Sequence, residues 1–96
     1  MSVRFEWDRT KAKRNLKKHR VSFDEASTVF GDVHAKIFLD EGHSSAETRE
    51  IIIGHSIQDR LLLVSFTERL PNVLRIISAR TATRKERKSY EENKDS

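Results

Sequence analysis

Arg69, Arg75, Arg80, His19 and Tyr90 are the side chains of this sequence best suited to handling a phosphodiester. Cutting such a bond in RNA without a metal needs a base for the ribose 2′-hydroxyl proton, cations to hold the phosphate as charge grows on its oxygens, and an acid for the leaving oxygen. Arginine suits the middle task, because its planar fork donates to two phosphate oxygens at once. Arg69, Arg75 and Arg80 fall at the end of one apolar run and along the next, where a sheet would hold them more rigidly than a helix surface holds Lys13 or Arg14. Arg75 and Arg80 are five positions apart, so an unbulged strand of period two would point them to opposite faces. His19 is the candidate base, since an imidazole with an ordinary pKa of about 6.5 exchanges a proton near neutral pH; the plainer reading is that it caps helix carbonyls. Tyr90 is a candidate acid or stacking platform, or else the residue that docks a terminal helix. Lys11, Lys18, Arg84 and Lys85 are candidate RNA-binding cations, and the backbone donors beside Thr83 could receive phosphate. His34, His43 and His55 have no spacing that would gather a metal ion, so neither metal nor cofactor is expected.

The elements that must position these groups can be read from periodicity. Asp8 caps a first helix running to His19, whose apolar stripe of Ala12 and Leu16 is thin, with Trp7 as a core residue pinning its start. Arg20-Val21 breaks it. Ser22-Phe23-Asp24-Glu25 reads as a capping box opening a second helix, in which Phe23, Ala26, Val29 and Phe30 share a face and Gly31 supplies the left-handed closing residue. From His34 the period becomes two, with Ala35, Ile37 and Leu39 alternating with polar or outward positions. Asp40 to Glu47 is a polar turn. Arg49 to Gly54 and Arg60 to Thr67 form a hairpin about Ser56-Ile57-Gln58-Asp59, and Val73 to Arg80 is apolar enough on both faces to lie inside a sheet. Thr83-Arg84-Lys85-Glu86 is a second capping box, opening a charged helix to about Glu91, after which the chain should fray. The expectation is an α+β fold of two N-terminal helices, a four-stranded antiparallel meander and a C-terminal helix, with the helices on one face and residues 1–96 as one domain.

Charge is unevenly placed along the chain. Of 96 residues carrying a net +4, the first twenty hold eight Lys and Arg against two acids, the middle is net acidic, and residues 75–96 hold seven cations against four acids. If folding brings the two basic ends together, they make a surface that attracts a polyanion. The absence of cysteine excludes disulfides, thiolate metal sites and a cysteine nucleophile. No apolar run approaches the length of a membrane span, and the start, Met1 to Trp7, has no signal-peptide core, so a soluble cytoplasmic protein without a membrane partner is expected.

Phe5-Glu6-Trp7-Asp8, Lys18-His19, Val21-Ser22-Phe23, Glu25-Ala26, Val29-Phe30, Arg75-Ile76-Ile77-Ser78-Ala79-Arg80 and Glu86-Arg87 with Tyr90, in that order along nearly the whole chain, resemble the BrnT family. The resemblance implies a RelE-like ribonuclease toxin of a type II toxin–antitoxin system that arrests growth by cleaving RNA. It also implies a BrnA-like antitoxin with a ribbon-helix-helix DNA-binding domain, assembled with the toxin as a heterotetramer and carrying the pair to operator DNA. The chain departs from the family at Arg20, where glycine is usual, and at Val33, where proline is common; a left-handed Arg20 would carry a strain of roughly 1 kcal/mol. An antitoxin would have to cover the cationic site, which suggests an acidic or helical segment lying across the first helix and the sheet near Arg75. The alternative from a different class is a module without chemistry of its own, holding an antitoxin and assisting operator binding; against it, the chain has no helix-turn-helix reading element.

Overall fold

The computed structural model describes residues 2–40 and 48–94. The chain opens with a short strand, β1 (Arg4–Glu6), and continues through α1 (Arg9–His19), α2 (Phe23–Thr28), a 3-10 turn (Val29–Gly31), β2 (Lys36–Leu39), β3 (Glu50–His55), β4 (Leu61–Leu70), β5 (Val73–Thr81) and α3 (Arg84–Lys94). The α+β class is as the sequence implies, but the sheet has five strands in the order β1-β5-β4-β3-β2, with β1 parallel to β5 and the remaining pairs antiparallel. The expected all-antiparallel sheet of four strands is therefore corrected to a mixed one, and the two helices follow a strand instead of opening the chain. Three residues carry no legible period, and β1 exists because the open edge of β5 offers Arg4 to Glu6 a ladder.

Local signals fix most helix ends. The Asp8 carboxylate accepts from the Lys11 N–H, and Arg20 closes α1 in the left-handed region at φ 59°, its N–H donating to Leu16 O. Ser22 caps α2 through the Glu25 N–H at 3.0 Å, yet the return half of that box is missing, because the Glu25 carboxylate is turned inward to Arg60 and Ser56. Gly31 is not left-handed; the turn ends instead at Asp32, whose N–H donates to Val29 O. The hairpin between β3 and β4 turns as expected, with Asp59 left-handed at φ 60° and Ser56 N–H donating to Arg60 O. Of the polar turn expected from Asp40 to Glu47, residues 41–47, His43 among them, lie outside the described residues, as do the last two positions of the fraying end.

Alternation across the sheet separates two cores. Ile52, Leu62, Val64, Phe66, Ile76 and Ala79 meet Val21, Phe23, Ala26 and Val29 on one face, and burying Phe23 alone contributes roughly 1.5–3 kcal/mol. Trp7 packs edge-on against Phe23 at 5.9 Å between centroids, as a core residue should. On the other face Ile53 and Leu61 hold Tyr90 of α3 in a much smaller cluster. The helices thus occupy both faces, not one. Gly54 allows the 3-10 turn and the residues after it to sit over β3, since a Cβ there would lie 2.9 Å from Ala35 Cβ and 3.0 Å from an Asp32 carboxylate oxygen.

Candidate nucleic-acid interface

The fate of Arg75 and Arg80 is decided by a β-bulge. Along β4 and β5, Ser65 pairs with Ser78 but Phe66 pairs with Ile76, so Ile77 is an extra residue and the alternation of β5 resets there. Arg80 lies across from Leu63, and Ser78 from Ser65, while on the other side of the bulge Arg75 lies across from Thr67 and Glu6. All of these point away from the α1–α2 core, so both arginines share the face that α3 only partly covers, in place of the opposite faces an unbulged strand would give. They do not meet at one phosphate: at about 3.3 Å per residue, they stand on the order of 15 Å apart.

Each arginine has a carboxylate partner. Arg75 donates to Glu6 at 2.8 Å, in a pair with 31% and 41% of the two side chains exposed. Arg80 donates through both terminal nitrogens to the two Glu86 oxygens, each at 2.8 Å. Glu86 also accepts from the Thr83 N–H at 2.8 Å, and the Thr83 hydroxyl accepts from the Glu86 N–H at 3.2 Å, which completes the second capping box. The Arg80 hydrogen bonds, opposed by burial and helped by the Thr83 N–H, hold the Glu86 carboxyl at about 2. The Thr83 donor proposed for phosphate is thereby occupied, while Arg84 and Lys85 stand exposed in the first turn of α3.

The other sequence candidates separate. Arg69 is the extra residue of a second bulge, between the pairs Glu68 with Leu74 and Leu70 with Val73, and is exposed at the Arg75 end of the sheet. There Thr48, Glu50, Thr67, Glu68 and Arg69 line a polar notch of about 320 Å³. Lys11 and Lys18 are exposed on α1, and His19 is partly buried at its end. Asn15 shows where that helix lies: its amide donates to Ala79 O at 2.9 Å and accepts from Ala79 N–H at 3.0 Å, replacing a strand on the edge of β5 that β1 leaves open. The Arg20 carbonyl accepts from Arg60 at 3.0 Å, which ties the end of α1 to the start of β4, where Leu62 faces Thr81. His19 therefore borders the Arg80 end of β5, remote from Arg69 and Arg75.

Tyr90 is buried, donates its hydroxyl to Asp32 at 2.7 Å, and lies 3.2 Å from His55 Nδ1. Burial, the bond to Asp32 and its charge push the phenol far above its ordinary value. Burial opposes ionisation of Asp32, but donors from the His55 N–H, the Tyr90 hydroxyl and the His34 N–H outweigh it and hold that carboxyl below the usual range. The hydroxyl is engaged in docking α3, which is the second of the two readings the sequence left open. Sequence reasoning missed this Asp32–Tyr90–His55 link, the edge-filling Asn15, the Glu6 partner of Arg75 and the inward Glu25. Only Asn15 left a trace, as a poor helix former in mid-helix. Among the described residues no three His, Asp or Glu are gathered as a metal ion would require, and no helix is long and apolar enough to cross a membrane.

Fold and register together define a small α+β protein whose sheet has one face closed by α1 and α2 and one half-open face that carries Arg75 and Arg80. The family model described as the ribonuclease toxin BrnT of type II toxin–antitoxin systems matches residues 7–86, and the chain belongs to that family. Among solved structures it is similar to the Brucella abortus ribonuclease toxin BrnT, at 25% identity and a TM-score of 0.66, over 86% of this chain and all of that one. No curated protein matches the chain.

Proposed function

We propose that this chain, as a single toxin domain over 1–96, is a metal-independent endoribonuclease of the cytoplasm that cleaves RNA along β5 on the half-open sheet face. The observation that carries the reading is the bulge at Ile77, which turns Arg75 and Arg80 to one surface beside the exposed Ser78. A single RNA strand laid along β5 presents separate phosphates to the two arginines, with Arg84 and Lys85 extending the cationic track and Lys11, Lys18 and Arg69 flanking it. At each arginine the guanidinium exchanges its internal carboxylate for a phosphate, and at Arg80, which Glu86 holds through both terminal nitrogens, the fork is already oriented when substrate arrives.

His19, at the Arg80 end, takes the 2′-hydroxyl proton and returns one to the leaving oxygen. A second placement of the chemistry is favoured by Glu6, a half-exposed carboxylate 2.8 Å from Arg75 that can accept the proton at the other end of the strand. Tyr90 contributes by holding α3 in place. The cell silences the enzyme with a BrnA-like ribbon-helix-helix antitoxin, joined to it as a heterotetramer that reaches operator DNA only through the antitoxin.

The test is cleavage of RNA by metal-depleted protein. Arg75→Ala and Arg80→Ala should each lower the rate about 100-fold or more while the melting curve stays within 1 kcal/mol of the parent. His19→Ala against Glu6→Gln then locates the base, since only the variant that lacks it should lose the acidic limb of the pH–rate profile, where protonation of the base switches the enzyme off. Intact RNA under the wild-type protein, with chelator absent as well as present, removes the ribonuclease reading.

A further inference from the structure

We infer that the groove between α3 and β2, with the adjoining edge of β2, seats the antitoxin as an acidic amphipathic segment that inserts an apolar side chain. The inference rests on the toxin–antitoxin reading above and deepens it. Ile37, Phe38 and Leu39 are 54%, 49% and 54% exposed, three consecutive apolar residues on the outermost strand of the described sheet. An exposed apolar edge strand invites pairing, and a protein keeps one when a partner covers it. Phe38 faces the half-open side, where it joins Ile51, Ile53, Leu63 and Tyr90 around a groove of about 230 Å³, smaller than a typical small-molecule pocket and suited to one or two anchoring side chains.

Three observations choose the occupant. Ile37 and Leu39 pair with Ile52 and Glu50 and so face the opposite side from Phe38; a nucleobase stacked on Phe38 would leave both uncovered, whereas a chain lying along the edge covers them. The surroundings are basic: Lys36 lines the groove, and α3 exposes Arg84, Lys85, Arg87 and Lys88 against Glu91 and Glu92. That charge attracts an acidic segment and opposes a second copy presenting the same helix. Finally, Glu86 is in the groove wall and holds Arg80, so an occupant sits directly beside a cation that the reaction uses. The seat differs from the one expected from sequence, across the first helix and the sheet near Arg75; on that helix Leu16 is the exposed large apolar residue.

The experiment co-expresses the full chain with the product of the neighbouring reading frame and measures their binding, RNA cleavage and growth. Phe38→Asp should weaken the complex about 30-fold or more, leave cleavage by the free toxin within about two-fold, and make growth arrest persist despite the partner. Lys36→Glu should slow association at low salt, and Ile37→Asp repeats the test from the other side of the edge if Phe38→Asp fails to fold. Undiminished binding and neutralisation of these variants overturns the proposal, as does loss of cleavage with binding intact, which marks a nucleobase subsite, or a wild-type dimer that Phe38→Asp dissociates without affecting the partner. A wild-type chain that does not bind the neighbouring product at all instead overturns the partnership on which the proposal rests.

Discussion

The two sheet faces each carry an arginine held in a fork by a glutamate, and the two pairs serve opposite ends. On the closed side Glu25 is 3% exposed and accepts from Arg60 Nε at 2.9 Å, from Arg60 Nη2 and from the Ser56 hydroxyl at 2.7 Å. The Arg60 hydrogen bonds, opposed by burial and helped by Ser56, pull the Glu25 carboxyl below its ordinary value. Arg60 Nη2 also donates to the Arg20 carbonyl, so the pair joins α1, α2 and the β3–β4 hairpin. On the open side Arg80 and Glu86 are 39% and 28% exposed, and nothing beyond the start of α3 depends on them. The same chemistry is structural where the carboxylate is buried among its donors and exchangeable where solvent reaches both partners.

This contrast can be broken or sharpened by substitution. Glu25→Ala should cost about 2–3 kcal/mol, somewhat below the roughly 3–5 of a fully buried pair because Arg60 is 35% exposed; a urea melt showing under 1 kcal/mol would mean the closed-side pair is no more structural than the open one. Tyr90→Phe removes the donor to Asp32 without changing packing and should cost about 1–2 kcal/mol with RNA cleavage retained. Activity lost at unchanged stability would instead return Tyr90 to the chemistry.

Smaller effects follow at Glu86 and Arg20. Because the folded Glu86 carboxyl sits at about 2 against an ordinary 4.5, its contribution is complete above about 4.5 and lost as pH falls through about 2. Glu86→Gln should therefore lower the melting temperature slightly at neutral pH and flatten its fall between pH 4.5 and 2, whereas Glu25→Gln perturbs stability far more. Arg20→Gly relieves the left-handed strain at φ 59° and should stabilise the chain by about 0.5–1 kcal/mol. Its carbonyl bond to Arg60 is untouched, so a loss of stability would show that the Arg20 side chain does more than tolerate its backbone.

The sequence alone determined what depends on neighbours a few residues away. The caps at Asp8, Ser22 and Thr83, the hairpin about Asp59, the left-handed Arg20 and the sheet runs through Ile51 to Ile53 and Leu61 to Phe66 all follow from local hydrogen bonding and period, and the family motifs stand in the same local stretches. Tertiary structure decided the rest. The adjacent pair Ile76-Ile77 gives no sign of which residue is extra, so only pairing with Phe66 could place Arg75 and Arg80 on one face. Glu25 reads as half of a capping box until Arg60, thirty-five residues on, outbids the helix end for its carboxylate. Nor could three residues announce a parallel strand whose ladder comes from a partner some seventy positions later. Bonds between distant segments are set by which groups burial leaves unsatisfied, and that is known only once the whole chain has packed.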